Sequence, residues 1–288
     1  MFKRFTTFSS WAILSATTGG LLALAVLPPQ PEHSLTASSQ VNASTPEHSL
    51  PQASPTPGVR HQFTYQQWLA QLQREAGRAA EKPPQRLIVL AGDSLSLWFP
   101  HDLLPTGVSW LNQGISGETS AGLLQRLELF DDTHPETILV MIGINDIIRG
   151  VRDATLLANQ VEIIRHLKRS HPRSRIVVQS ILPHGGDQIP QRYTKSLPPS
   201  PTNSTAFPVW VDRLPQVPNR HIRWLNRELA AIAKEEQVEF LDLHSFFTDI
   251  RGDLRDDLST DGLHLSQKGY KIWRSQLQKF SQDRPKSP

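Results

Sequence analysis

Leu87-Ile88-Val89-Leu90-Ala91 followed by Gly92-Asp93-Ser94-Leu95 is a short apolar run that breaks at once into small and polar residues. A run of that length, bounded by turn formers, predicts a buried strand, and Gly, Asp and Ser behind it are residues that turn a chain and open a helix. The same alternation recurs downstream. Residues 108–111, 138–142, 176–180 and 238–241 read as further strands. Between them, 120–130, 154–170 and 219–236 carry helical spacing, and 266–280 closes the chain the same way. Upstream, Trp68, Leu69, Leu72 and Ala76 share one face of a helix behind a Thr64 cap. Strands that alternate with helices predict an α/β fold, a parallel sheet covered on both faces. In such sheets the crevice lies outside the carboxyl ends of the strands, so chemistry is sought just after each one.

Those positions carry Gly92-Asp93-Ser94-Leu95 after the first strand and Asn112-Gln113-Gly114-Ile115-Ser116-Gly117 after the second. Gly143-Ile144-Asn145-Asp146 follows the third, and Asp261-Gly262-Leu263-His264-Leu265 precedes the last helix. Each piece alone is ordinary turn or cap chemistry. Four in order are a constellation. A serine hydroxyl needs an adjacent base, and His264 is the candidate. Asp261, three residues earlier, is spaced to reach the imidazole Nδ1 and fix its tautomer. The ends of strands two and three offer a glycine N–H and an asparagine amide to a developing oxyanion, with the Ser94 N–H as a third donor.

These segments resemble the SGNH, or GDSL, esterase and lipase family, over roughly residues 86–280. The resemblance implies a flavodoxin-like three-layer α/β/α sandwich with a five-stranded parallel sheet, and hydrolysis of an acyl or acetyl ester with no metal and no cofactor. By position it makes Ser94 the nucleophile, His264 the base, Asp261 its orienting carboxylate, and Ser94, Gly114 and Asn145 the oxyanion hole. The Gly-x-Ser-x-Gly elbow of α/β-hydrolases is absent. One departure is Trp98, where many members carry glycine; one turn beyond Ser94, it either walls the acyl side of the pocket or packs into the core with Leu97 and Phe99. His184, just after the fourth strand, is a candidate substrate contact. Asp93 and Asp146 are assigned to loop structure, and His101, His134, His166, His171, His221 and His244 to surface or capping roles.

The 288 residues hold 30 basic and 27 acidic side chains, 23 prolines and no cysteine. That charge balance argues against a nucleic-acid partner, and the lack of cysteine excludes disulfides, thiolate nucleophiles and cysteine-bound metals. Lys3 and Arg4 precede an apolar run, so residues 1–27 read as a signal peptide or signal anchor, which implies an extracytoplasmic location with membrane tethering if the segment is kept. Residues 28–60, rich in Pro, Ser and Thr, read as a disordered linker in which Pro-Glu-His-Ser-Leu occurs at 31–35 and 46–50. The hydrolase domain is expected over 61–282 and a short tail over 283–288. Asn42 and Asn203 begin glycosylation sequons. The stretch 183–218, long for a connection and holding Tyr193, Phe207 and Trp210, reads as a substrate wall or a disordered loop. Partners are then a small-molecule, lipid or glycan ester, with oligomeric state left open. Two other functions share these residues: acyl transfer to a glycan hydroxyl, and a silent glycan-binding module, against which the intact Ser94, Asp261, His264 and Asn145 argue.

Overall fold

The computed structural model describes residues 63–197 and 208–282. The expected signal, linker and C-terminal tail, both sequons, and the centre of the 183–218 stretch lie outside the described residues. The described helices are α1 (Tyr65–Glu81), α2 (Ser94–Leu97), α3 (Ser120–Gln125), α4 (Ile144–Ile148), α5 (Asp153–Ser170), α6 (Ile189–Ser196), α7 (Val209–Arg213), α8 (Asn219–Glu235), α9 (His244–Phe247) and α10 (Gln267–Gln282). Thr64 caps α1 through a capping box: its hydroxyl accepts the Gln67 N–H at 3.3 Å, and Gln67 Oε1 accepts the Thr64 N–H at 2.7 Å.

Strands β1 (Leu87–Gly92), β2 (Ser109–Gly114), β3 (Thr137–Met141), β4 (Arg175–Gln179) and β5 (Glu239–Leu241) form one sheet in the order β2-β1-β3-β4-β5. Every neighbouring pair is parallel. Alternation along the strands decides the layers. Val89, Ala91, Ile138 and Val140 pack with Leu123, Leu127, Phe130 and Ile163 on one face. Leu90, Leu139, Met141 and Val177 pack with Tyr270, Trp273 and Leu277 of α10 on the other. Each Leu, Val or Ile so enclosed contributes about 1.5–3 kcal/mol. This is the flavodoxin-like three-layer arrangement. Since β2 and β3 lie on opposite sides of β1, the chain changes direction there, and a crevice opens outside the carboxyl ends of β1 and β3.

Three expectations differ in detail. The helix over 120–130 is broken, because Arg126 leaves helical geometry at φ −121° and a 3₁₀ turn, Leu127–Phe130, follows. The Arg126 side chain turns into the core there, where it holds two carbonyls. Strand β2 runs on through Asn112, Gln113 and Gly114, which the sequence places after it. The described parts of 183–218 are not a bare loop: they hold α6, α7 and two 3₁₀ turns, with Ile189, Val211 and Leu214 fully buried. Among the described residues no helix is long and apolar enough to cross a membrane.

Candidate active site

The turn after β1 places Ser94 at the first position of α2, where Asp93 caps the helix by accepting the Leu95 N–H at 2.9 Å. Asp93 is 1% exposed, and burial pushes its carboxyl up to about 7. Tyr270 of α10 donates its hydroxyl to the Leu95 carbonyl at 3.1 Å and ties the far layer to this turn. The N–H of Ser94, at the start of a helix, has no intrahelical acceptor and is open to a ligand.

His264 arrives from the segment before α10. Its Nδ1 lies 2.7 Å from Asp261 Oδ2 and its Nε2 3.3 Å from Ser94 Oγ. Asp261 Oδ1 accepts the N–H groups of Leu263 at 2.9 Å and His264 at 2.7 Å, so one carboxylate folds the turn with one oxygen and orients the imidazole with the other. Burial pushes the Asp261 carboxyl up, but the His264 ring and the two backbone N–H groups outweigh it and hold it below its ordinary value. With Nδ1–H given to Asp261, the Nε2 lone pair faces the serine hydroxyl. Two further rings bracket the imidazole. Trp98 lies against it with centroids 4.2 Å apart, and Trp210 of α7 meets it edge-on at 5.8 Å, itself backed by Tyr193 of α6 at 5.3 Å. The indole also packs on the apolar clusters around Phe99 and Leu72, so the expected core packing is present alongside the contact with the catalytic imidazole.

Asn145, 9% exposed at the start of α4, donates one Nδ2 hydrogen to the Glu118 carbonyl at 2.9 Å and keeps the other. Gly114 departs from expectation. Its N–H is given to Asn112 Oδ1 at 2.9 Å, and a Cβ on it would lie 2.5 Å from the Leu97 N, so it serves as the floor beneath α2 and has no free donor. Gly117, three residues on, makes no hydrogen bond through its N–H among the described residues and adjoins Glu118, whose carbonyl holds Asn145. Of the two glycines of the motif it is therefore the one whose N–H is not spent within the fold. The sequence signal for it was the second glycine of the same motif.

His184 also departs from expectation. At 1% exposure its Nε2 faces the Val217 carbonyl at 2.8 Å and its Nδ1 accepts the Gly186 N–H at 3.1 Å, so both ring nitrogens are engaged in holding the chain. Burial lowers its pKa, which keeps the ring neutral and fit for that double role. It is a loop anchor and presents no group to a substrate. His171 and His244 are likewise buried, at 4% and 5% exposure, where surface or capping roles were expected. His166 and His221 pair with Asp131 and Asp153. Asp146 keeps its structural assignment, accepting the Ser120 N–H at 2.8 Å and hydroxyl at 2.6 Å.

Behind the site lies an ion pair that the sequence did not reveal. Arg126 Nε meets Glu118 Oε2 at 2.7 Å, with side chains 3% and 5% exposed. The same guanidinium donates to the carbonyls of Gln113 at 2.9 Å and Gly92 at 3.0 Å, clamping the ends of β2 and β1. Among the described residues no cluster of three or more His, Asp or Glu stands ready for a metal.

A family model described as the GDSL-like lipase/acylhydrolase family matches residues 90–272, which contain Ser94, Asn145, Asp261 and His264. The chain belongs to that family. It is one of ester-hydrolysing serine hydrolases. Over 51 residues the chain is 49% identical to an isoamyl acetate-hydrolyzing esterase of Saccharomyces cerevisiae, covering 18% of this chain and 21% of that protein. Over 132 residues it is 31% identical to an arylesterase of Vibrio mimicus, covering 41% of this chain and 62% of that one. It thus spans less than two thirds of either relative. A structure from Streptococcus pneumonia, provisionally named as a platelet activating factor, superposes with a TM-score of 0.60 at 25% identity, covering 75% of this chain and 93% of that one. A GDSL-like lipase from Bacteroides thetaiotaomicron shares the fold at a TM-score of 0.55 and 18% identity, covering 74% and 98%.

Proposed function

We propose that this GDSL-family chain is an exported serine esterase that removes short acyl groups through an acyl-enzyme formed on Ser94. The observation that carries this reading is the relay of Asp261, His264 and Ser94 at 2.7 and 3.3 Å in the crevice at the strand ends. His264 Nε2 takes the hydroxyl proton as Ser94 Oγ attacks the ester carbonyl. Asp261 stabilises the imidazolium, which then protonates the leaving alcohol. The N–H groups of Ser94 and Gly117 and the free Asn145 Nδ2 hydrogen receive the charge on the tetrahedral oxygen. Water, activated by the same imidazole, releases the acid. Trp98 and Trp210 bracket the imidazole at 4.2 and 5.8 Å, which supports a small acyl group beside it. The printed name of the yeast relative, an acetate-ester esterase, points the same way, and both relatives' names favour water over a sugar hydroxyl as acceptor. Export rests on the basic-then-apolar pattern of residues 1–27, with 28–60 as tether.

A chromogenic acetate ester tests the mechanism. Wild type should release the alcohol in a burst followed by steady turnover, and Ser94→Ala should lose activity by about 10⁴- to 10⁶-fold while melting normally. A folded Ser94→Ala protein that retains near-native turnover would refute it.

A further inference from the structure

The loop between β2 and α3 bears on both of the oxyanion donors that lie outside the nucleophile turn. Gly117 offers its N–H, and the next carbonyl, that of Glu118, takes one Nδ2 hydrogen of Asn145 at 2.9 Å. The backbone bonds of this loop are long. The Ile115 N–H reaches the Gly92 carbonyl at 3.2 Å and the Glu118 N–H the Ile115 carbonyl at 3.3 Å. Arg149 donates to the Gly117 carbonyl at 2.8 Å, but from an exposed position. The Glu118 side chain is the buried hold. Its carboxylate, 5% exposed, meets Arg126 Nε at 2.7 Å, the Thr119 N–H at 3.2 Å and the Tyr65 hydroxyl of α1 at 3.3 Å.

Arg126 is itself immobilised, because its other two nitrogens hold the carbonyls of Gln113 and Gly92 at the ends of β2 and β1. Gly92 stands two residues before Ser94. One guanidinium therefore ties the strand that delivers the nucleophile to the loop that carries Gly117. Gly122 is an independent sign that the carboxylate has a fixed place. It lies in helical backbone on α3, where alanine is normally the better residue. Yet a Cβ there would overlap the Glu118 carboxylate. That carboxylate cannot swing aside without leaving the Arg126 guanidinium buried and unpaired, which is costly.

We propose that Glu118 is a positioning residue for ester hydrolysis. Its carboxylate, locked on Arg126 in the berth that Gly122 leaves, fixes the Gly117–Glu118 backbone so that the Gly117 N–H and the Asn145 amide converge on one oxygen. The inference rests on the reading of Gly117 and Asn145 as oxyanion donors. Its test compares kcat and KM for p-nitrophenyl acetate, with urea unfolding, in the full chain. The variants are Gly122→Ala, Glu118→Gln, Asn145→Ala and the double variant G122A/N145A. Leu167→Ala, which empties core space near the C-terminal end of α5, is the control for a general loss of stability. Gly122→Ala displaces the carboxylate and keeps every charge, whereas Glu118→Gln keeps the shape and removes the charge. Gly122→Ala should lower kcat about a hundredfold and Glu118→Gln about tenfold, each with KM within about twofold, because the donors meet charge that exists only in the transition state. Beside Asn145→Ala, the Gly122→Ala loss should shrink to about tenfold or less, since one of the two donors it misplaces is already gone. The destabilised Leu167→Ala protein should keep kcat within about threefold of wild type. Turnover within about threefold of wild type in folded Gly122→Ala and Glu118→Gln overturns the role of Glu118. So does a change confined to KM, an undiminished loss beside Asn145→Ala, or an equal loss in Leu167→Ala. If Asn145→Ala alone keeps wild-type turnover, the oxyanion reading falls and this inference falls with it.

Discussion

Replacing Trp98 by alanine is expected to lengthen the acyl chain that the esterase accepts. The indole packs on the His264 ring at 4.2 Å, and that ring stands 3.3 Å from the nucleophile, so the space it vacates adjoins the acyl carbon. Each methylene that finds apolar surface there is worth about 0.8 kcal/mol, a factor of about four. Two methylenes, acetate to butyrate, then change the ratio of kcat/KM values by about fifteenfold toward butyrate. Acetate turnover itself should fall, because the ring that holds the imidazole in register is gone. The indole is only partly buried, so the stability cost should stay below the ~3–5 kcal/mol of a fully buried tryptophan. The assay compares kcat/KM for p-nitrophenyl acetate, propionate, butyrate and hexanoate in wild type and Trp98→Ala, with a thermal melt of each. An unchanged acetate-to-butyrate ratio in a variant that still melts cooperatively would refute the reasoning.

Asn145→Ala should lower kcat by about 10²- to 10³-fold with KM nearly unchanged, since the amide meets charge that exists only in the transition state; steady-state kinetics decide it, and a change confined to KM would assign Asn145 to substrate binding. Arg126→Met leaves the Glu118 carboxylate buried without its cation and frees two carbonyls, at a cost of about 3–5 kcal/mol, or about 6–20 °C in Tm for a domain of this size; a loss under about 1 kcal/mol in urea unfolding would contradict it. Asp93, whose folded pKa is raised to about 7, keeps a proton that the unfolded chain has already released, so it makes stability fall as pH rises from about 4 to 7. Asp93→Asn retains the acceptor for Leu95 and should remove that fall, a gain on the order of a few kcal/mol at pH 8 and none at pH 4; unfolding free energies that keep the wild-type slope between those pH values would count against it.

The sheet was legible because its central strands, β1, β3 and β4, are short, largely apolar and buried on both faces, so each announced itself without reference to any other. The relay was legible for a related reason: Asp261 and His264 meet within one turn, and Ser94 follows directly on a strand whose end points at the crevice. What could not be read was the choice of partner across the chain. His184 stands where a substrate contact belongs, yet its ring is claimed by Val217, 33 residues away. Trp98 has the right spacing from Ser94, but nothing in its surroundings says that an imidazole from near the C-terminus will lie on it.

Gly114 shows the limit most sharply. A glycine at the end of a parallel strand is equally suited to present its N–H to a ligand or to let another backbone approach, and the sequence around it is the same in both cases. Two contacts decide between them. Asn112, two residues back, turns its Oδ1 onto the Gly114 N–H, and its Nδ2 donates to the Ser96 carbonyl at 2.7 Å, so one amide pins the strand end to the nucleophile helix. That leaves no room for a side chain and no donor for an oxyanion. The glycine that remains open, Gly117, lies past the turn, where the Glu118 carbonyl and Asn145 face each other. The proposed donor therefore lies beyond the strand, because the N–H within it is already spent on the Asn112 amide that holds α2 in place.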